Sequence, residues 1–136
     1  MNLILKEFLK VVLISVVVLI IDLIWLSLFL GKYFGTMVLK IQGSEMKINI
    51  IPAILSYFTI ILSIYYLLFY DKRTKENKYI DSFILGLCVY GIFEFTSGAI
   101  FKDWDCLPLI VDTLWGGVLY LSSYSILKYL FTRLKL

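Results

Sequence analysis

Residues Leu109–Leu121 read LIVDTLWGGVLYL. The run is apolar enough for lipid, yet Asp112 stands three residues before Trp115. Ile20–Leu28, IIDLIWLSL, repeats the phrase with Asp22 and Trp25. Hydrophobic residues make up 61 % of the 136-residue chain, and its mean hydropathy is +0.92. A soluble domain is about 45–50 % apolar. The two aspartates therefore sit in segments suited to a bilayer, and reading those segments as membrane spans decides the fold.

A transmembrane helix needs about 20 predominantly apolar residues at a rise of about 1.5 Å each. Working outward from the quoted stretch, the spans are predicted near 107–127, 80–101, 50–70 and 11–30. The first contains Ser15, Asp22 and Ser27 as polar residues, the second no charge, the third Asp81 and Glu94, and the last Asp112. Residues 1–136 thus read as a single transmembrane domain: all-α, an integral membrane four-helix bundle. Asn49 with Pro52, and Asp105 with Pro108, are expected to start the second and fourth helices. The first span is too long for a cleavable signal, and Gly31-Lys32-Tyr33 is a poor cleavage site.

Most of the 13 Lys and Arg residues fall on one side: Lys6, Lys10, Lys72, Arg73, Lys75, Lys78, Lys128, Arg133 and Lys135. Lys32, Lys40, Lys47 and Lys102 fall on the other. This asymmetry places both termini in the cytoplasm. Residues 71–78, DKRTKENK, are then a charged cytoplasmic hairpin. The outer segment 31–49 holds YFGTMVLKI. It reads either as an interfacial helix with Tyr33 and Phe34 at headgroup level or as a loop packed over the bundle.

Several functions are disfavoured at once. Histidine is absent, which removes the commonest metal ligand and the usual neutral-pH base. Cys88 and Cys106 lack metal or disulfide spacing. No catalytic residue or cofactor is assigned, and the residues single out no particular metal. The basic residues form no stripe of the kind nucleic acid needs.

The internal acids share one level. From the outer boundary, Asp22, Glu94 and Asp112 lie roughly 12, 10 and 8 Å deep by helical rise. On the second span Ser56, Thr59, Ser63, Tyr66 and Tyr70 form a 3-4-3-4 hydroxyl stripe, whose first members reach the same slab. Gly91, Glu94, Ser97 and Gly98 share a face of the third span, with Tyr90 one turn below Glu94. Asp112, Trp115 and Gly116 share a face of the fourth. Small residues permit close helix approach, so Gly91, Gly98 and Gly116 are expected to support the site, with Trp25 and Trp115 as packing residues. Thr96 points less clearly inward.

An Asp at a helix centre opposes insertion by roughly 2.5–3.5 kcal/mol. No Lys or Arg lies at this depth. The acids are therefore expected to be protonated, to share protons, to be solvated by trapped water or to hold a cation.

Three motifs carry a family resemblance: DLIWL (Asp22–Leu26), YGIFEFTSGAIFKDW (Tyr90–Trp104) and VDTLWG (Val111–Gly116). Over nearly its whole length the chain resembles the small predicted membrane proteins catalogued as domain of unknown function 2177. The family pattern has an acid followed by Leu-Thr-Asn on the third span, a lysine-containing loop with Trp-Pro, and Asp-x-x-Trp-Gly on the fourth. Here Glu94 stands where the pattern has aspartate and Ser97 where it has asparagine. Trp104 is followed by Asp105, with the proline delayed to Pro108. The resemblance implies four spans and brings no established activity.

The residues leave three functions open. The first is a cation- or proton-handling, transporter-like membrane protein. It would be oligomeric, with Asp22, Glu94 and Asp112 as its acid site and Ser56, Thr59, Tyr90 and Ser97 as lining. The second is a non-transporting scaffold or assembly factor, its acids serving as interhelical hydrogen-bonding glue. The third is a lipid-modifying enzyme acting near a headgroup layer, against which the missing nucleophile motif counts. The expected partners are the lipid bilayer, a proton, cation or lipid headgroup, and further copies of the chain. The paired Asp-x-x-Trp segments, on antiparallel spans, suggest either an inverted repeat or convergent helix packing.

Overall fold

Hydrocarbon offers no partner to a backbone amide, so a chain this apolar satisfies its own amides within helices. The computed structural model describes residues 2–70 and 77–136. Helix α1 (Leu3–Trp25), a π-helical turn (Leu26–Leu30) and α2 (Gly31–Gln42) run on without a break. Helix α3 (Ile50–Ser63) continues into a second π-helical stretch, Ile64–Tyr70. Helices α4 (Tyr79–Ile100) and α5 (Cys106–Leu134) complete the chain. No strand occurs among the described residues. Leu3–Gln42, Ile50–Tyr70, Tyr79–Ile100 and Cys106–Leu134 are each long and apolar enough to cross a membrane. Of the expected charged hairpin, residues 71–76 lie outside the described residues; Asn77 and Lys78 lead into α4.

The helices run up and down, and polar contacts tie one end together. Lys6 Nζ donates to the Lys135 carbonyl at 3.0 Å. Tyr65 donates to Glu7 Oε2 at 2.9 Å, and the Lys78 amide to the Tyr124 hydroxyl at 3.2 Å. Both chain termini therefore lie at this end. Helix α2 and the α4–α5 connection occupy the other.

Several boundaries differ from the expectation. The first helix begins at Leu3 and passes beyond Leu30, because Gly31 and Gly35 do not break it. Asn49 and Asp105 hold the N-cap positions of α3 and α5, but neither side chain caps its helix. Asp105 Oδ2 instead accepts from Tyr33 at 2.8 Å. Helix α2 lies over the α4–α5 connection, through Tyr33 on Asp105, Phe34 beside Trp104 at 6.1 Å, and Met37 Sδ under the Asp105 amide at 3.4 Å. Gly43, at φ 71°, ends α2 in the left-handed conformation that glycine tolerates best.

The packing is inverted relative to a water-soluble protein. Asp22, Ser82, Glu94, Ser97, Asp112 and Ser123 are buried, while Ile51, Ile80, Ile92, Phe95, Ile110 and Leu114 face outward. Lipid as solvent accounts for this, since polar groups avoid it and aliphatic groups do not. Helices α4 and α5 share the most extensive interface. A Cβ on Gly86 would fall on the Gly116 carbonyl, one on Gly116 would meet the Tyr90 ring at 2.5 Å, and one on Gly117 the Phe83 ring at 2.6 Å. Apolar side chains gain nothing by leaving lipid for each other, so close backbone approach and interhelical hydrogen bonds supply the association. Below the acids an apolar cluster of Ile14, Val18, Ile64, Leu68, Leu119 and Leu127 fills the core.

Candidate functional site

Helices α1 and α5 pack antiparallel, and each carries Asp and Trp three residues apart on one face. Three residues forward on α1 correspond to three residues back on α5. Asp22 thus lies opposite Trp115, and Trp25 opposite Asp112. Trp115 Nε1 donates to Asp22 Oδ1 at 3.0 Å, and Trp25 Nε1 donates to Asp112 Oδ1 at 3.2 Å. The two indoles stack face to face between these bonds, with centroids 4.4 Å apart and planes inclined by 5°. Phe29, on the π-helical turn that follows, stacks on the outer face of Trp25 at 5.0 Å. The twice-written phrase of the sequence is thus a reciprocal clasp. Each tryptophan serves the other helix's aspartate.

Asp22 gathers two further donors. Tyr57 of α3 reaches Oδ2 at 2.7 Å and Tyr90 of α4 reaches Oδ1 at 3.1 Å. One buried carboxyl therefore ties α1, α3, α4 and α5 together. Isolated interhelical bonds of this kind contribute about 0.6 kcal/mol each.

Glu94 is fully buried on α4. Its Oε2 accepts from Trp104 Nε1 at 2.9 Å. Its Oε1 is buried and has no N–H or O–H donor among the described residues. The Asp112 carboxyl of α5 is its neighbouring acid. Two carboxylates present acceptors alone, so a hydrogen bond between them requires that one of the two carry a proton. Trp104 stands at the α2 end of the layer, with Phe93 and Phe101 at 5.9 Å and Phe34 at 6.1 Å from its ring.

The remaining expected residues divide. Tyr90, Gly91 and Ser97 line the α4 face that carries Glu94. Gly116 is the close-approach point described above, and Gly98 lies under Leu109, where a Cβ would sit 2.9 Å from Cδ2. Ser56 and Thr59 do not join the acids. Both are exposed, and their hydroxyls donate to carbonyls of their own helix, Ala53 at 2.8 Å and Ser56 at 2.7 Å. Short hydroxyls on a helix commonly bond back to the preceding turn, so a stripe of them forms no polar lining by spacing alone. Tyr57, on the adjacent face, reaches the site because its ring spans the gap. Thr96 is exposed as well. Sequence reading also missed Trp104, although it stands in the motif that carries the family resemblance, and the Gly86–Gly116 contact. Among the described residues no group of three or more Asp, Glu or Cys side chains is arranged to hold a metal ion.

Residues 7–129 match the model of the family described as Predicted membrane protein (DUF2177). The chain belongs to this family. Among the curated proteins nothing matches, and among the solved structures nothing matches either. The family match covers the clasp, the Glu94 segment and most of α5, so the layer described above falls within it.

Proposed function

We propose that this family member handles protons inside the membrane, with the Glu94–Asp112 pair as the proton-holding site and both chain termini in the cytoplasm. One observation carries the reading: the fully buried Glu94 has one oxygen on Trp104 and the other without an N–H or O–H donor, beside the Asp112 carboxyl. A proton between the two groups satisfies both. Intramembrane acids are costly, and where they occur they commonly mark proton or ion pathways. The proton is favoured over a metal cation because the described carboxyls are not grouped as metal ligands. The donors aimed at Asp22 Oδ1, Trp115 and Tyr90, already occupy both lone pairs of that oxygen. Asp22, held by three donors, is the pair's structurally fixed neighbour. The orientation is supported by Lys6, Lys10, Lys128, Arg133 and Lys135 at the end that carries the termini.

The test is proton and cation flux across liposomes containing the native chain or the triple variant Asp22→Asn, Glu94→Gln, Asp112→Asn. The reading expects native flux above background and its loss in a folded triple variant. Equal flux at background level in both would refute it. A second reading, acids as structural glue, is favoured by the clasp itself, in which every acceptor oxygen joins two helices. It expects no native flux and a triple variant that retains its fold, since amides also hydrogen-bond.

A further inference from the structure

Helix α1 turns one face to the bundle, and the 3–4 spacing of that face can be followed toward α2. It runs through Ile14, Val18, Asp22 and Trp25. The next positions at this spacing are Phe29, Lys32 and Thr36. All three are exposed, Phe29 by 67 %. Leu30 and Met37 are buried instead, at 5 % and 1 % exposed, with Tyr33 and Phe34 half-buried between them. The inward face has therefore stepped forward by one residue. The step lies in the π-helical turn Leu26–Leu30, where amides reach back five residues rather than four. The Gly31 amide closes this turn on the Leu26 carbonyl, and a Cβ on Gly31 would lie 2.5 Å from that oxygen. An uninterrupted α-helix would rotate α2 by roughly 100° and bring Lys32 and Thr36 inward.

The shifted face meets the α4–α5 connection at Asp105. Tyr33 donates to Asp105 Oδ2 at 2.8 Å, and the Asp105 amide donates to Met37 Sδ at 3.4 Å, so α2 holds both the side chain and the backbone of this residue. Asp105 occupies the N-cap position of α5, yet its carboxyl serves Tyr33 rather than its own helix. The residue before it is Trp104. The Trp104 amide returns to the Phe101 carbonyl at 3.2 Å, its ring lies 6.1 Å from Phe34, and its Nε1 donates to Glu94 Oε2 at 2.9 Å. Direct contacts thus run from α2 to the buried acid. We infer that Tyr33 and Asp105 are positioning residues for Glu94, and that the π-helical turn sets the register in which they meet. The inference goes beyond the proton reading and does not require it, because an indole N–H can donate to a carboxyl oxygen in either protonation state.

The experiment is solid-state NMR of the full chain in lipid bilayers with ¹⁵N-indole tryptophan, whose three side chains give three indole N–H signals. The Trp104 signal is assigned by its loss in Trp104→Phe, and Glu94→Leu marks its position without the acceptor. Tyr33→Phe and Asp105→Ala each remove the bond to α2. Asp105→Asn keeps an acceptor for Tyr33, and Thr36→Ala removes a hydroxyl that bonds only its own helix, at Lys32. In Tyr33→Phe and Asp105→Ala the Trp104 signal is expected to move toward its Glu94→Leu position while those of Trp25 and Trp115 stay, a pattern that general loosening of the bundle would not give. In Asp105→Asn and Thr36→Ala it is expected to stay. Gly31→Ala is expected to move it, and deletion of Leu28 in that variant to bring it back, since Leu30 then follows Trp25 at the spacing of a plain α-helix. A Trp104 signal unmoved in Tyr33→Phe or Asp105→Ala, displaced equally in Asp105→Asn or Thr36→Ala, or moving only together with Trp25 and Trp115, overturns the positioning role. Gly31→Ala without effect, or not restored by the deletion, overturns the role of the turn. Trp104 shifts as expected in a chain whose Glu94 and Asp112 are both carboxylates would remove the proton site and leave the positioning intact.

Discussion

Trp25 and Trp115 look equivalent in the clasp, yet replacing each by phenylalanine should have unequal effects. Trp115→Phe removes one of three donors to Asp22; Tyr57 at 2.7 Å and Tyr90 at 3.1 Å remain. The loss should be near the average interhelical bond, about 0.6 kcal/mol. Trp25→Phe removes the indole donor of Asp112, whose other partner is Glu94, itself an acid. That loss should approach the upper end, about 1.7 kcal/mol. The rings stack at 4.4 Å and nearly parallel, so each holds the other's N–H on its aspartate. A double-mutant cycle should therefore show coupling of about 0.5–1.5 kcal/mol, the range of aromatic pairs. The assay is reversible unfolding in mixed micelles by added dodecyl sulfate, followed by circular dichroism. Additive effects within about 0.3 kcal/mol, or a larger loss from Trp115→Phe than from Trp25→Phe, would refute the reciprocal arrangement.

Further outcomes follow from the same geometry. Tyr57→Phe should cost about 0.6 kcal/mol in the same unfolding assay, since Asp22 keeps two donors. Ser56→Ala and Thr59→Ala should each stay within about 0.5 kcal/mol of the native chain, because both hydroxyls only bond their own exposed helix turn. Gly86→Ala should destabilise by about 1–3 kcal/mol, since the added methyl meets the Gly116 backbone rather than a movable side chain. A stability equal to native in Gly86→Ala would show that α4 and α5 do not approach as closely as described.

The bundle was legible because lipid imposes a coarse code. Uninterrupted apolar runs gave four helices, and depth counting put Asp22, Glu94 and Asp112 in one slab. What depth counting cannot give is which group meets which. The Asp-x-x-Trp repeat was visible, but the crossed pairing depends on the antiparallel register of α1 and α5, which no local spacing encodes. Ser56 and Thr59 matched a facing pattern, yet short hydroxyls satisfy themselves on the helix, whereas Tyr57 has the length to cross between helices. Gly31 and Gly35 resemble breakers, but the amphipathic sequence around them keeps α2 helical over the α4–α5 connection. Trp104 lies outside the predicted spans, so its donation to Glu94 depended on how that connection folds back over the bundle.

The central claim is that the Glu94 and Asp112 carboxyls meet and hold one proton between them. Solid-state NMR of chains carrying ¹³C-carboxyl Asp and Glu in lipid bilayers tests it most directly. The account predicts a dipolar cross-peak between the Glu94 and Asp112 carboxyl carbons, lost in Glu94→Gln and in Asp112→Asn, with the shift of one carboxyl in the protonated range. Two carboxylate shifts without a cross-peak would contradict it.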